Sequence, residues 1–93
     1  MAFREWFGLR PTAADVLAKL YLAAGGFLTS IELSHAVGAL PSAMRFHLSQ
    51  VRQAMDCEAL DSLKGCGYRL SEAGLAECRL AIRTIGEELR LAE

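Results

Sequence analysis

The chain has 93 residues, of which 53 % are hydrophobic, and it carries 10 basic and 11 acidic side chains. These figures exclude wholesale disorder and a polybasic nucleic-acid tail, and the length gives room for one domain that buries about 60 to 65 % of its unfolded surface. Residues 16–28 form the longest apolar stretch near the N-terminus, but Lys19 interrupts it. The stretch falls short of the roughly 20 apolar residues of a membrane span, which predicts a cytoplasmic protein.

The first ten residues form an aromatic segment that contains Phe3, Trp6 and Phe7. A free tail of this composition would leave a large apolar patch in water. We therefore expect residues 1–10 to dock on the core or on a second subunit.

Capping and glycine signals predict two helices after this segment. The first covers residues 12–24, with Pro11 and Thr12 as its start signal and two glycines beyond its end. The second covers residues 30–37, because Thr29 followed by Glu32 matches the capping-box pattern and a glycine follows it. The residues that the first helix should bury are Val16, Leu17, Leu20 and Tyr21.

A third helix, a hairpin and a last helix follow. The third helix covers residues 42–55, because its apolar residues are spaced four, three and four apart: Met44, Leu48, Val51 and Met55. Two short strands, residues 60–63 and 68–70, flank a connection with two glycines, which is a hairpin signal. Ser71 then caps a long helix that reaches nearly to the C-terminus.

The predicted order is three helices, a glycine-turned hairpin and one more helix. It predicts a mainly α fold with a small β-hairpin, arranged as a winged helix-turn-helix with a C-terminal dimerisation helix. The predicted parts are an aromatic N-terminal segment at 1–10, a winged helix-turn-helix domain at 11–70 and a C-terminal helix at 71–93.

From about residue 9 to residue 70 the chain resembles the winged-helix output domains of OmpR/PhoB-type response regulators. The resemblance rests on LRPT, VL, GFLTS and EL within residues 9–33, on LSQVR at 48–52 and on KGCGYRL at 64–70. The continuation YRLSEAG at 68–74 is similar instead to the wing-to-helix passage of MarR- and PadR-like regulators, which dimerise through terminal helices. The resemblance implies a bacterial-type, stand-alone transcription regulator or accessory factor that binds double-stranded DNA.

One side of the third predicted helix, opposite its apolar stripe, is polar with a single aromatic residue. When such a helix enters the major groove, Gln pairs with adenine, Arg with guanine, and flanking arginines suit phosphates. An ordinary solvated helix shows a similar face, and Arg52 has Asp56 one turn away as an alternative partner. The DNA-binding residues predicted on this helix are Ser42, Arg45, Phe46, Ser49, Gln50, Arg52 and Gln53.

The predicted hairpin adds Lys64 and Arg69, which we expect on the DNA backbone or in the minor groove. Residues 41–70 hold four basic and three acidic side chains, a weak balance for a domain that neutralises several phosphates. Two alternative functions therefore stay open. One is a protein–protein interaction module that binds another regulatory protein as an antagonist, and the other is an accessory DNA-bending factor in recombination or replication.

The last predicted helix has apolar residues at the three- and four-residue spacing of a helix-pairing seam: Leu75, Cys78, Ile82, Ile85 and Leu89. The first three helices already supply the core of a domain of this size, so we expect a second copy to cover the seam in a homodimer. Cover by the first helix or the N-terminal aromatics of the same chain is the alternative. Charges of both signs flank the seam, as in either a parallel or an antiparallel helix pair.

The sequence gives no support for an enzyme, a cofactor or a metal site. Cys57, Cys66 and Cys78 lack the C-x-x-C spacing of zinc sites, and His35 and His47 have no third ligand nearby. Cys66 lies at the hairpin turn between two basic residues, so a redox-sensitive thiol is an alternative there to an incidental cysteine.

Overall fold

The computed structural model describes residues 3–55 and 57–92. The fold is mainly helical with one small two-stranded antiparallel hairpin, as the sequence predicts. The helices are α1 Phe3–Phe7, α2 Pro11–Leu22, α3 Ser30–Val37, α4 Met44–Ala54 and α5 Glu72–Ala92. The strands are β1 Leu60–Leu63 and β2 Gly67–Leu70, and short 3-10 turns at Pro41–Ala43 and Cys57–Ala59 precede α4 and β1.

The aromatic N-terminal segment docks on the core of its own chain through Phe3. This ring is 1 % exposed, and its centroid lies 5.9 Å from both the Phe7 and the Tyr21 rings. Trp6, one turn further along α1, stays 41 % exposed. The expected docking is therefore confirmed for Phe3, whereas Trp6 is left partly in solvent.

Helix α2 begins one residue earlier than predicted. Its N-cap is Arg10 and Pro11 occupies the first turn, so Pro11 marks the start as predicted, whereas the prediction that Thr12 caps the helix is wrong. Proline suits this position because its missing N–H would have no helical partner there. The chain leaves the helix through Ala24 and Gly25, both with positive φ. Helix α2 is the centre of the core, and its buried residues are Ala13, Ala14, Val16, Leu17 and Leu20.

Helix α3 has the predicted capping box. The Glu32 N–H donates to Thr29 Oγ1 and the Thr29 N–H donates to Glu32 Oε1, both at 3.1 Å. Gly38 ends the helix in the left-handed conformation, with φ 70°. Leu33 packs inside while Ile31 lies in solvent, so α3 buries only a narrow strip.

Helix α4 buries its apolar stripe as predicted. Its four members are at most 7 % exposed: Met44, Leu48, Val51 and Met55. The difference lies at the start, where residues 41–43 form a 3-10 turn before the α-helix begins at Met44. Anchoring along one whole side fixes which side of α4 faces solvent.

The hairpin is joined to the start of α3. Its register pairs Leu60 with Leu70 and Asp61 with Arg69. Tyr68 in β2 also forms an isolated bridge with Leu28, in which each backbone N–H donates to the other carbonyl at 2.8 Å. The bridge fixes the hairpin to the helical part of the fold.

Helix α5 starts at a side-chain cap and then leaves the core. Ser71 Oγ accepts from the Gly74 N–H at 3.1 Å and donates to the Glu58 carbonyl at 2.6 Å. Leu75, Cys78 and Ala81 are buried, but no residue between 82 and 91 is. The first part of the predicted seam thus packs on its own chain.

We expect the two cysteines Cys66 and Cys78 to react very differently with a thiol reagent. Cys66 is exposed, whereas burial, with a smaller effect of the Glu77 carboxylate, raises the Cys78 pKa from 9.0 to about 12. At pH 8 iodoacetamide should modify Cys66 in the native protein and reach Cys78 only after denaturant is added. Peptide mass spectrometry measures both; equal labelling in the native state would contradict the burial of Cys78.

The same raised pKa predicts how stability changes in alkali. The unfolded thiol ionises near pH 9 and the folded one near 12, so the unfolded state loses its proton first. The contribution of Cys78 to the free energy of unfolding is complete below pH 9 and is lost as the pH rises toward 12. A Cys78→Ser variant should lack this component of the pH dependence in urea titrations.

Candidate nucleic-acid interface

The solvent side of α4 presents most of the residues that the sequence singled out. Arg45, Phe46, Ser49 and Gln53 are all exposed, and Phe46 shows 54 % of its surface. The Phe46 ring contacts only the neighbouring His47 ring among the aromatic side chains described, at 5.7 Å between centroids. These four side chains lie opposite the buried stripe and form a continuous surface that we call the α4 face.

Gln50 lies beside this face and not on it. It is half-buried, and its Oε1 is enclosed and accepts no hydrogen bond from the residues at 3–55 and 57–92. It borders a cavity of about 290 Å³ lined by Phe7, Gly8, Leu9, Arg10, Gln50, Gln53 and Ala54. The connection between α1 and α2 therefore covers the flank of α4 that carries Gln50, while Gln53 reaches both the cavity and the α4 face.

Ser42 and Arg52 are also exposed, one before α4 and the other near its end. Ser42 belongs to the 3-10 turn before α4, and Arg52 lies in the last turn of the helix. The alternative pairing of Arg52 with Asp56 concerns a residue outside those that the structure describes. Arg45 and Arg52 form no ion pair with the described part of the chain.

The two basic residues of the hairpin have different environments. Lys64 is exposed in the turn, beside a cavity of about 290 Å³ that also includes Thr29, Ser30 and Ser62. Arg69 is in the strand, where its Nε donates to Asp61 Oδ2 at 3.0 Å and its guanidinium lies 4.6 Å from the centre of the Phe27 ring. Both side chains of the ion pair are 43 % exposed. Arg69 is therefore held in the sheet and partly neutralised, whereas Lys64 is not.

The hairpin and α4 residues line separate cavities. The Lys64 cavity opens between the hairpin and the N-terminus of α3, and the Gln50 cavity opens between α4 and the α1–α2 connection. The structure thus brings Lys64 close to Thr29 and Ser30, two hydroxyl residues that the sequence did not mark as site residues. The signal was present in part, because the capping box already placed both at a helix N-terminus.

Solvent also reaches three apolar side chains whose exposure the sequence did not predict. Leu22 at the end of α2, Ile31 in α3 and Leu40 before the 3-10 turn are all exposed. Single exposed apolar residues are ordinary on soluble proteins. All three residues precede α4 in the sequence, so none of them belongs to the α4 face.

The predicted seam of α5 divides into two parts. Leu75 and Cys78 are buried in the same chain, which matches the intramolecular alternative. Ile82 and Leu89 are exposed and Ile85 is half-buried. Only these last three are available to a second subunit.

Within residues 3–55 and 57–92, no three side chains among His, Cys, Asp and Glu come close enough to hold a metal ion. No helix in that part of the chain is long and apolar enough to cross a membrane. No family model, curated protein or solved structure matches the sequence or the fold.

Proposed function

We propose that this chain is a cytoplasmic winged-helix transcription regulator that binds double-stranded DNA. In this proposal α3 and α4 form the helix-turn-helix, the α4 face enters the major groove, and the β1–β2 hairpin is the wing. The observation that carries it is the α4 face, a helix buried along one whole side that shows arginine, serine, glutamine and an exposed phenylalanine on the other.

The chemistry of the α4 face suits base edges. Gln53 offers a donor and an acceptor for adenine, Ser49 bonds either kind of base, and the Phe46 ring suits a thymine methyl group. Arg45 and Arg52, which have no ion pair with the described residues, suit phosphates or guanine. Phe46 offers an exposed apolar ring in the middle of this polar face, where a base could contact it.

The wing contributes through Lys64 more than through Arg69. Lys64 stands beside the N-terminus of α3, where backbone N–H groups favour an anion. Arg69 would have to leave Asp61 to bind a phosphate fully. The proposal therefore places three cations per subunit on the interface, Arg45, Arg52 and Lys64, none of which is ion-paired within residues 3–55 and 57–92.

Gel shifts with random genomic fragments in low salt test the proposal, since DNA binding weakens steeply as salt increases. Lys64→Ala should weaken binding to all sequences alike and reduce the slope of log K against log salt by about one unit. Arg69→Ala should change that slope by clearly less, because Asp61 already offsets its charge. Lys19→Ala, an exposed cation on α2, is the matched control and should bind as wild type does.

A second measurement separates sequence-specific recognition of DNA from non-specific binding. Gln53→Ala should relax sequence preference, with a loss of roughly 1 to 3 kcal/mol at the contacted base and little change on random DNA. Selection from a randomised DNA pool measures it. If the wild-type protein shifts no DNA at low salt, the proposal of DNA binding is wrong. If the Gln53 variant selects the same motif as the wild type, the proposal that Gln53 contacts a base is wrong.

Protein–protein interaction is the second candidate function, and the exposed Phe46 supports it. An aromatic ring surrounded by Ser49 and Gln53 is also typical of a protein-binding surface. The near-neutral charge of the chain favours this candidate too. If the protein does not bind DNA in low salt, this candidate is tested by comparing the protein partners that bind the wild type with those that bind Phe46→Ala. We expect the variant to lose them.

A further inference from the structure

The part of α5 beyond Ala81 carries an apolar stripe that its own chain leaves largely uncovered. We call Ile82, Ile85, Gly86 and Leu89 the C-terminal stripe, because their three- and four-residue spacing puts them on one side of the helix. Leu89 is 62 % exposed and Ile82 is also exposed. The stripe continues the line of Leu75 and Cys78 past the edge of the core.

Gly86 lies in the middle of the C-terminal stripe, within a helix of 21 residues. Glycine is a poor residue for a helix interior, so its presence needs a reason. The fold of this chain gives none, because a Cβ added at Gly86 would meet nothing within 4 Å and the backbone is not left-handed there. A glycine between apolar residues lets another helix backbone come close.

Charge is separated across the stripe. With about 3.6 residues per turn, Arg79, Arg83 and Arg90 fall on one flank of α5, with Glu87 behind them away from the stripe, and Glu88 falls on the other flank. Glu88 lines a groove together with Glu5, Trp6 and Ile85. Arg83, Arg90 and Glu88 form no ion pair within the part of the chain that the structure describes. One flank is therefore basic, and the other is an acidic groove with an aromatic wall.

We propose that a second copy of this chain covers the C-terminal stripe, with the two α5 helices parallel about a two-fold axis that runs along them. This rotation puts the basic flank of each helix against the acidic groove of the other. An antiparallel pair would instead set the arginine flanks against each other. The groove suits a guanidinium, since Glu5 and Glu88 accept hydrogen bonds and the Trp6 ring face attracts a cation.

The interface is short. Residues 82–91 span about 15 Å of helix, so we expect a dimer with a dissociation constant of about micromolar order. Apolar contact along the stripe supplies the affinity, and the exposed arginine–glutamate contacts set the orientation. The proposal does not rest on DNA binding, because it concerns only α1 and α5.

Analytical ultracentrifugation of the full chain from about 1 to 100 µM tests the interface. The wild type should be a dimer at the upper end, and Leu89→Asp should weaken association at least about a hundredfold by placing a charge in the stripe. Leu89 is 62 % exposed, so this change leaves the monomer fold intact, which circular dichroism checks. Leu80→Asp is the matched control, because Leu80 is 57 % exposed on the opposite side of α5 and its variant should still dimerise.

Charge reversal tests the orientation. Arg83→Glu and Glu88→Arg should each weaken the homodimer about tenfold by facing like charges, and an equal mixture of the two variants should form a heterodimer of wild-type affinity. A monomeric wild type at 100 µM, or a dimer indifferent to Leu89→Asp, would overturn the interface. An Arg83→Glu homodimer tighter than wild type, or a mixture without recovery, would overturn the parallel arrangement.

Discussion

Gly67→Ala should lower the melting temperature by about 10 to 20 °C, which corresponds to roughly 2 to 3 kcal/mol for a domain of this size. Gly67 has φ 107°, where an L residue is strained, and a Cβ there would collide with the carbonyl of Leu28. That carbonyl accepts the hydrogen bond from Tyr68 N–H that joins the hairpin to the start of α3. The added methyl group would therefore push Leu28 away from Tyr68 and break the bridge between strand β2 and the start of α3.

Gly65→Ala is the control that separates strain from collision. Gly65 also has a positive φ, of 86°, but a Cβ there meets nothing within 4 Å. We expect this variant to lose only about 1 kcal/mol, the cost of the left-handed conformation alone. Thermal melts of both variants at one protein concentration measure the difference. Equal losses would show that the bridge between Leu28 and Tyr68 is not a tight contact.

Local signals explain why most of the fold was predictable. The capping box of α3 needs only Thr29 and Glu32, which are three residues apart, and both of its hydrogen bonds form. The stripe of α4 depends on helical period alone, and all four of its members are buried. Each prediction used interactions within one or two turns of the chain, where sequence distance and spatial distance agree.

The position of Gln50 was not predictable in the same way. Helical period places it away from the core of α4, but the α1–α2 connection folds back onto that flank and encloses its Oε1. No local pattern shows where residues 8–10 will pack. The α4 face inferred from the sequence was therefore too wide on the side that the N-terminal segment covers.

The environment of Arg69 was within reach of the sequence. Once β1 and β2 are predicted as a hairpin, a register that pairs Leu60 with Leu70 puts Asp61 directly opposite Arg69. Opposite charges on paired residues attract across a sheet. The prediction of Arg69 as a wing cation did not include this partner, although the hairpin register implies it.

The seam of α5 shows what spacing alone leaves open. Leu75 and Leu89 occupy equivalent positions two heptads apart, yet the first is buried in its own chain and the second is exposed. Spacing identifies the apolar side of a helix and not its partner. Where α5 changes from buried to exposed depends on where the rest of the domain stops covering the helix, which is a property of the whole fold.

Phe3→Ala should be the most destabilising side-chain truncation of the N-terminal segment, at about 3 to 5 kcal/mol and roughly 15 to 25 °C in melting temperature. Phe3 is 1 % exposed and lies against the rings of Phe7 and Tyr21. Removal of its ring leaves a cavity between α1 and α2 that the short helix α1 cannot close without leaving its position. Helix α1 has only five residues and depends on this packing.

Phe46→Ala is the matched control, since it removes the same ring from a site that is 54 % exposed. It should change the free energy of unfolding by less than about 1 kcal/mol, because little apolar surface leaves or enters water. Urea unfolding of both variants, at one concentration so that self-association is equal, gives the comparison. If Phe3→Ala loses no more stability than Phe46→Ala, then α1 does not pack on the core, and the segment that encloses Gln50 is not held in place by the Phe3 ring.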